Sequence, residues 1–168
     1  GRHGCQKYSL LHRHQVLYTL QLGCSNLLVQ AITNLVLLNK QNGKNIIFLN
    51  THLDNASEQA ADFGANVVMN KLNELKEKYN NTDGTVLTGD FNETQDGTAY
   101  KLVASKLNDC TNRAKKTATY QEWGYRSTGN EPIDFIFTDG KAVDYTVLND
   151  LNNGYVSDHY GVYSGINF

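Results

Sequence analysis

The chain has a single proline, Pro132, one methionine, one tryptophan and three cysteines among 168 residues. No Pro-, Gly- or Ser-rich stretch divides it, and its length is that of one ordinary domain. Cys5, Cys24 and Cys110 are odd in number and widely spaced. They form neither a disulfide framework nor a zinc-ligand pattern, and Cys110 reads as a small buried apolar residue. The longest apolar stretch, residues 26–38, is broken by Gln30, Thr33 and Asn34. A membrane span needs about 20 mostly apolar residues, so none is expected. No secretory signal is visible. The 15 basic and 17 acidic residues give a net charge of −2, which excludes a strongly basic, non-specific nucleic-acid coat.

Acidic residues are missing from one third of the chain. Residues 1–53 carry five basic side chains and no acid, whereas residues 54–168 carry a balance of −7. Such a break suggests two segments of different role. A transit peptide is a poor fit, with two serines before Asn26 and no amphipathic period. The expectation is an unassigned N-terminal segment over residues 1–30, disordered or poorly ordered, followed by a domain over residues 31–168.

The pattern sharpens after Lys44. Residues 45–50 form a short apolar run that reads as a buried strand. Asn55 followed by Glu58 resembles a capping box. Ala61, Ala65, Val68, Leu72, Leu75 and Tyr79 then recur at helical steps. A second strand is expected over 85–88 and a weaker helix over 98–107. Residues 133–138 alternate, with Ile133, Phe135 and Phe137 on one face and Asp134 and Ile136 on the other. Val143, Tyr145 and Val147 alternate likewise, and residues 161–168 read as a last strand. Mixed strands and helices predict a layered α/β or α+β domain.

The informative polar residues sit where these apolar runs end. His52 and Asp54 follow the first strand, Asp90 and Asn92 the second; Asp134 lies inside the third, and Asp158 and His159 precede the last. Sequential strands tend to be neighbours, so these ends can converge. Carboxylates and an amide suit a hard cation, Mg²⁺ or Mn²⁺. Histidines move protons near neutral pH. Together they suit phosphoester hydrolysis. Each also has a plainer reading: Gly-Asp-x-Asn is good turn chemistry, and Asp54 at a helix start stabilises the first turn. In the stretch 119–124 a ring could stack on a base or sugar, but core packing is the default for Trp123 and Tyr120. Arg113, Lys115, Lys116 and Arg126 read as a solvated basic loop.

The order NTHLDN, TGDFNET, PIDFIF, SDHYGV resembles the endonuclease/exonuclease/phosphatase (DNase I-like) superfamily, over about residues 34–168. The likeness is to bacterial members, with deadenylase-type nucleases more distant. It implies a four-layered sandwich of two mixed sheets with helices outside. It implies a divalent-metal-dependent phosphoesterase, nuclease-like, with RNA or DNA among its candidate substrates; sugar, inositol or lipid phosphomonoesters are the alternative. By this resemblance His52 contacts the scissile phosphate, Asp90 orients or deprotonates water, and Asn92 holds a phosphate oxygen. His159 faces the phosphate and Asp134 pairs with it. Asp158 and Asp90 are the implied metal ligands for Mg²⁺ or Mn²⁺. The family's first half carries an Asn and a metal-ligand Glu, yet no glutamate precedes Glu58 here. Relatives often carry arginine near the start of the helix, where this chain has Ala61 and Asp62. The N-terminal half is therefore expected to be largely missing. Two further expectations follow: the chain needs that half as a partner, or it is a catalytically dead binding module.

Overall fold

The computed structural model describes residues 8–22, 25–39, 42–113, 117–124, 131–149 and 154–168. Two long strands open it, β1 (Tyr8–Leu22) and β2 (Ser25–Asn39), paired antiparallel. They correct the expectation of a disordered start. The register of this pair shifts between Leu10 and His12 and again between Val16 and Tyr18. A bulge interrupts the strict two-residue period that marks a strand in sequence.

β3 (Asn45–His52) joins β2 antiparallel through a turn in which Gly43 has φ 72° and Asn42 accepts from the Lys44 N–H. Helix α1 (Glu58–Lys78) then carries the chain to β4 (Thr82–Asp90), which lies parallel to β3. A parallel neighbour requires such a crossover. The short helix α2 (Thr98–Ala104), β5 (Asn108–Asp109) and β6 (Asp134–Thr138) follow. The sheet order is β1-β2-β3-β4-β6-β5. Two small ribbons flank it, β7 (Lys141–Ala142) with β10 (Ile166–Asn167) and β8 (Thr146–Leu148) with β9 (Gly161–Tyr163). Among the described residues there is one large mixed sheet with both helices on one face.

The expected apolar stripe of α1 is the buried one. Ala61, Ala65, Val68, Leu72 and Leu75 are all core residues, and Tyr79 packs beside them. The cap differs from expectation. Ser57, not Asn55, caps the helix, accepting from the Ala60 N–H, while Asp54 Oδ1 accepts from the N–H groups of Ala56 and Ser57 at 2.8 Å each. Ile47, Leu49, Leu87, Phe135 and Phe137 face the helices and are fully buried. Phe91 stands edge-on to Phe135, with ring centroids 5.5 Å apart. Such aromatic pairs add to the area they bury.

The strands expected over 143–147 and 161–168 are each broken. Asp144 Oδ1 accepts from the Gly165 N–H, and its carbonyl accepts from the Ser164 hydroxyl. Side-chain bonding of this kind competes with the ladder. The chain bends there, and Val143 is exposed while Tyr145 packs on Cys110, Ile136 and Ala142. Cys110 is buried as expected. Cys5 and Cys24 and the side chains of Arg113, Lys115, Lys116 and Arg126 lie outside the described residues. No helix of the described residues is long and apolar enough to cross a membrane.

Candidate active site

Strand register assembles the site. His52 on β3 pairs with Asp90 on β4, and Asp90 with Asp134 on β6. One row across three strands therefore carries all three side chains. Leu49, Leu87 and Phe135 occupy the helix face, and strict alternation turns this row to the opposite face. Gly89 permits the close approach: a Cβ there would meet the Thr51 carbonyl oxygen at 2.3 Å.

His159 arrives from the loop before β9. Its Nδ1 lies 2.8 Å from Asp134 Oδ2 and its Nε2 lies 3.7 Å from Asp90 Oδ2. On the other side, His52 Nε2 stands 3.4 Å from the same Asp90 oxygen. Asp90 thus lies between two imidazoles, while its Oδ1 accepts from the Asn92 N–H at 2.8 Å. Asn92 has φ 53°, a left-handed conformation that Asn tolerates, and its amide donates to the Leu53 carbonyl at 2.8 Å.

Five of the six site residues expected from sequence, His52, Asp90, Asn92, Asp158 and His159, line one cavity of about 300 Å³, with Asn55 and Tyr120. The sixth, Asp134, lines the adjoining cavity together with His52 and Asp90. Asp54 stands apart, spent on the turn that starts α1 and lining a separate cavity beside Glu93. Its plainer reading is the one the structure carries.

The electrostatics push the two central groups in one direction. Burial raises the Asp90 carboxyl above its usual range, and the neighbouring Asp134 charge adds to this; the Asn92 N–H and the two histidines offset part of it. For His159, burial acts to lower the pKa. The Asp134 hydrogen bond and the charges of Asp134, Asp90 and Asp158 outweigh it, so the ring is held above its ordinary value. Ligand atoms of Asp90, Asp134 and His159 lie within 4.8 Å of one another. Two carboxylates so close suit a hard divalent cation. This set contains Asp134 where the resemblance pointed to Asp158, which stands on the cavity wall.

Two supporting residues escaped the sequence reading. Thr119 is fully buried, and its hydroxyl accepts from the N–H groups of Ile133 and Asp134 at 3.0 and 3.1 Å. Its carbonyl accepts from the Tyr160 N–H at 2.6 Å. One residue thereby ties the start of β6 to the His159 loop. Next to it, Tyr120 bridges to His159, the ring centroids 5.0 Å apart. The aromatic stretch 119–124 was the available signal. Trp123 breaks the core-packing expectation, being 50% exposed. It sits in a turn where Glu122, Trp123 and Gly124 have φ 48°, 57° and 82°. For non-glycine residues this conformation costs about 1–2 kcal/mol each.

A mixed sheet backed by helices, with acids and imidazoles at its strand ends, defines an α/β domain of the phosphoesterase type. The chain belongs to the Endonuclease/Exonuclease/phosphatase family, whose profile matches residues 7–159. That match begins before residue 30. No curated protein sequence is significantly similar to it. Among solved structures, a mannosyl-6-phosphatase of Bacteroides thetaiotaomicron superposes with a TM-score of 0.79 at 22% identity, over 96% of this chain and 68% of that one. The human Nocturnin catalytic domain, solved with a sulfate anion, gives 0.69 at 20% identity, over 95% and 60%. TDP2 of D. rerio, solved with a single-stranded DNA product, gives 0.65 at 15% identity, over 96% and 69%. The chain thus spans 60% of Nocturnin's domain and about two thirds of the others. These likenesses establish the DNase I-like fold.

Proposed function

We propose that the chain carries the C-terminal part of a divalent-metal-dependent phosphoesterase that cleaves a phosphodiester by direct attack of water. The observation that supports this most is the chain of contacts His52–Asp90–His159–Asp134 along two adjoining cavities. Asp134 accepts the Nδ1 proton of His159 and so turns Nε2 toward Asp90 and the cavity. The charged ring then stabilises the phosphoryl oxygens as negative charge builds. Asp90, with one oxygen held by the Asn92 N–H and the other facing both rings, orients or deprotonates the water. His52 contacts the phosphate or the leaving group from the opposite side, and Asn92 holds a phosphate oxygen. Mg²⁺ or Mn²⁺, held by Asp90 with Asp134 or Asp158, would neutralise phosphate charge and stabilise the leaving oxygen.

The substrate readings differ in charge demand. Among the described residues no lysine or arginine lines the 300 Å³ cavity. That favours a substrate with one or few phosphates, so a phosphomonoester of a sugar, inositol or lipid is the second reading. The likeness to a mannosyl-6-phosphatase supports it. The deciding assay compares bis-aryl with mono-aryl phosphates in Mg²⁺, in wild type, Asp90→Asn and His159→Ala. General acid–base groups are worth about 10²–10⁴-fold, and a loss of that size is expected in both variants. Unchanged rates would reject the assignment. A wild-type protein with no saturable Mg²⁺ or Mn²⁺ binding would make it a dead binding module.

A further inference from the structure

Trp123 is the chain's single tryptophan, and the fold spends its own bonds to hold that ring in water. The left-handed turn of Glu122, Trp123 and Gly124 is clamped to the catalytic loop. The N–H groups of Gln121 and Glu122 both donate to the Asp158 carbonyl, at 2.9 and 3.2 Å. The Gln121 side chain donates to the Ser157 carbonyl at 2.5 Å and accepts from the Gly124 N–H at 2.8 Å. Tyr155 lies against Gly124 so closely that a Cβ there would stand 2.6 Å from its hydroxyl. The turn, Tyr155 and the Ser157–Asp158 segment therefore move together. On the near side of the turn, Tyr120 already forms part of the cavity wall beside His159.

Among the described residues, this turn and the 155–158 segment beside it expose apolar side chains. Trp123 is 50% exposed, Tyr155 41% and Val156 89%. Residues left in strained backbone and held there by their surroundings point to a use for the conformation. Burial of Trp123 is not that use, because the strain presents the ring instead of packing it. The geometry points to Trp123, flanked by Tyr155 and Val156, as a stacking platform for the nucleobase of a phosphoester anchored at His52, Asp90 and His159. This rests on the phosphoesterase reading for its anchor. A base offers a flat π-face to any aromatic ring. A sugar presents hydroxyl groups that need matched polar partners, whereas Trp123, Tyr155 and Val156 offer mainly apolar surface.

The single tryptophan makes the test direct, because intrinsic indole fluorescence reports this residue alone. The chain is titrated, with Ca²⁺ present, with adenosine 5′-monophosphate, ribose 5-phosphate and mannose 6-phosphate, corrected against free N-acetyltryptophanamide. Saturable quenching by the nucleotide, and none by either sugar phosphate, is expected. Absent quenching by the nucleotide, or equal quenching by a sugar phosphate, overturns the platform. Calorimetry then compares Trp123→Phe and Trp123→Ala, with circular dichroism as the check on folding. Trp123→Ala should weaken nucleotide binding about tenfold, and Trp123→Phe should keep most of it. Wild-type affinity in a folded Trp123→Ala also overturns the platform. Neither readout needs turnover, so a failed hydrolysis assay with intact quenching rejects the catalytic reading and leaves the platform standing.

Discussion

The two faces of the central sheet are made from the same strands and do opposite things. On the helix face, Ile47, Leu49, Leu87, Phe135 and Phe137 are fully buried under α1 and α2. On the other face His52, Asp90 and Asp134 form one row across β3, β4 and β6 that lines two cavities, while Ile136 further along β6 packs in a small second cluster. A period of two residues is enough to separate packing from chemistry on one set of strands. The packed face holds the strands in register, and the register sets the distances between the acids and imidazoles of the exposed face.

Substitutions on the two faces should therefore fail differently. The largest effect is expected on the packed face. Phe135→Ala removes a ring that touches Phe91, Tyr100 and Phe137, and should cost about 3–5 kcal/mol in denaturant unfolding. A loss below 1 kcal/mol would show that the helix face is not the stabilising one. Next comes Thr119→Val, which leaves two N–H groups without their acceptor and should cost about 1–3 kcal/mol. Thr119→Ser should restore both stability and hydrolysis; a Ser variant as impaired as Val would assign the role to the methyl group. Ser57→Ala removes the cap of α1 and should cost about 1 kcal/mol in denaturant unfolding.

The smallest effect on stability, and the sharpest on the exposed face, is a titration. The folded-state pKa of His159 is raised, so the stability it contributes is fully present below the unfolded value of about 6.5 and is lost as pH rises through the folded value. Asp134→Asn removes the hydrogen-bonded charge that raises it. The NMR titration midpoint of the His159 ring should fall in that variant, and the loss of stability with rising pH should flatten. An unmoved midpoint would show that Asp134 does not hold the ring charged.

Local periodicity made much of this legible. The α1 stripe repeats every three to four residues, and β3, β4 and β6 alternate or run apolar, so elements and buried faces followed from side-chain type alone. The site candidates were legible because each polar residue interrupts or ends an apolar run. What local pattern missed came from irregularities of the strands, from contacts between segments far apart in sequence, and from competing side-chain bonds at a helix start. Bulges interrupted the two-residue period of β1 and its partner. Asp144 broke two expected strands by bonding to Ser164 and Gly165, some 20 positions away. Ser57 displaced Asn55 as cap because Asp54 had already turned the chain.

By itself, then, the sequence determined which residues could carry proton transfer and metal binding, and which strands and helix would bury their apolar faces. Only the tertiary structure decided that Asp134, not Asp158, joins Asp90 and His159 in one cluster of possible metal ligands, and that Trp123 stands half exposed to water. Residue type sets chemistry and local period. Distances between side chains more than a hundred positions apart are set by strand register and by the packing that holds it.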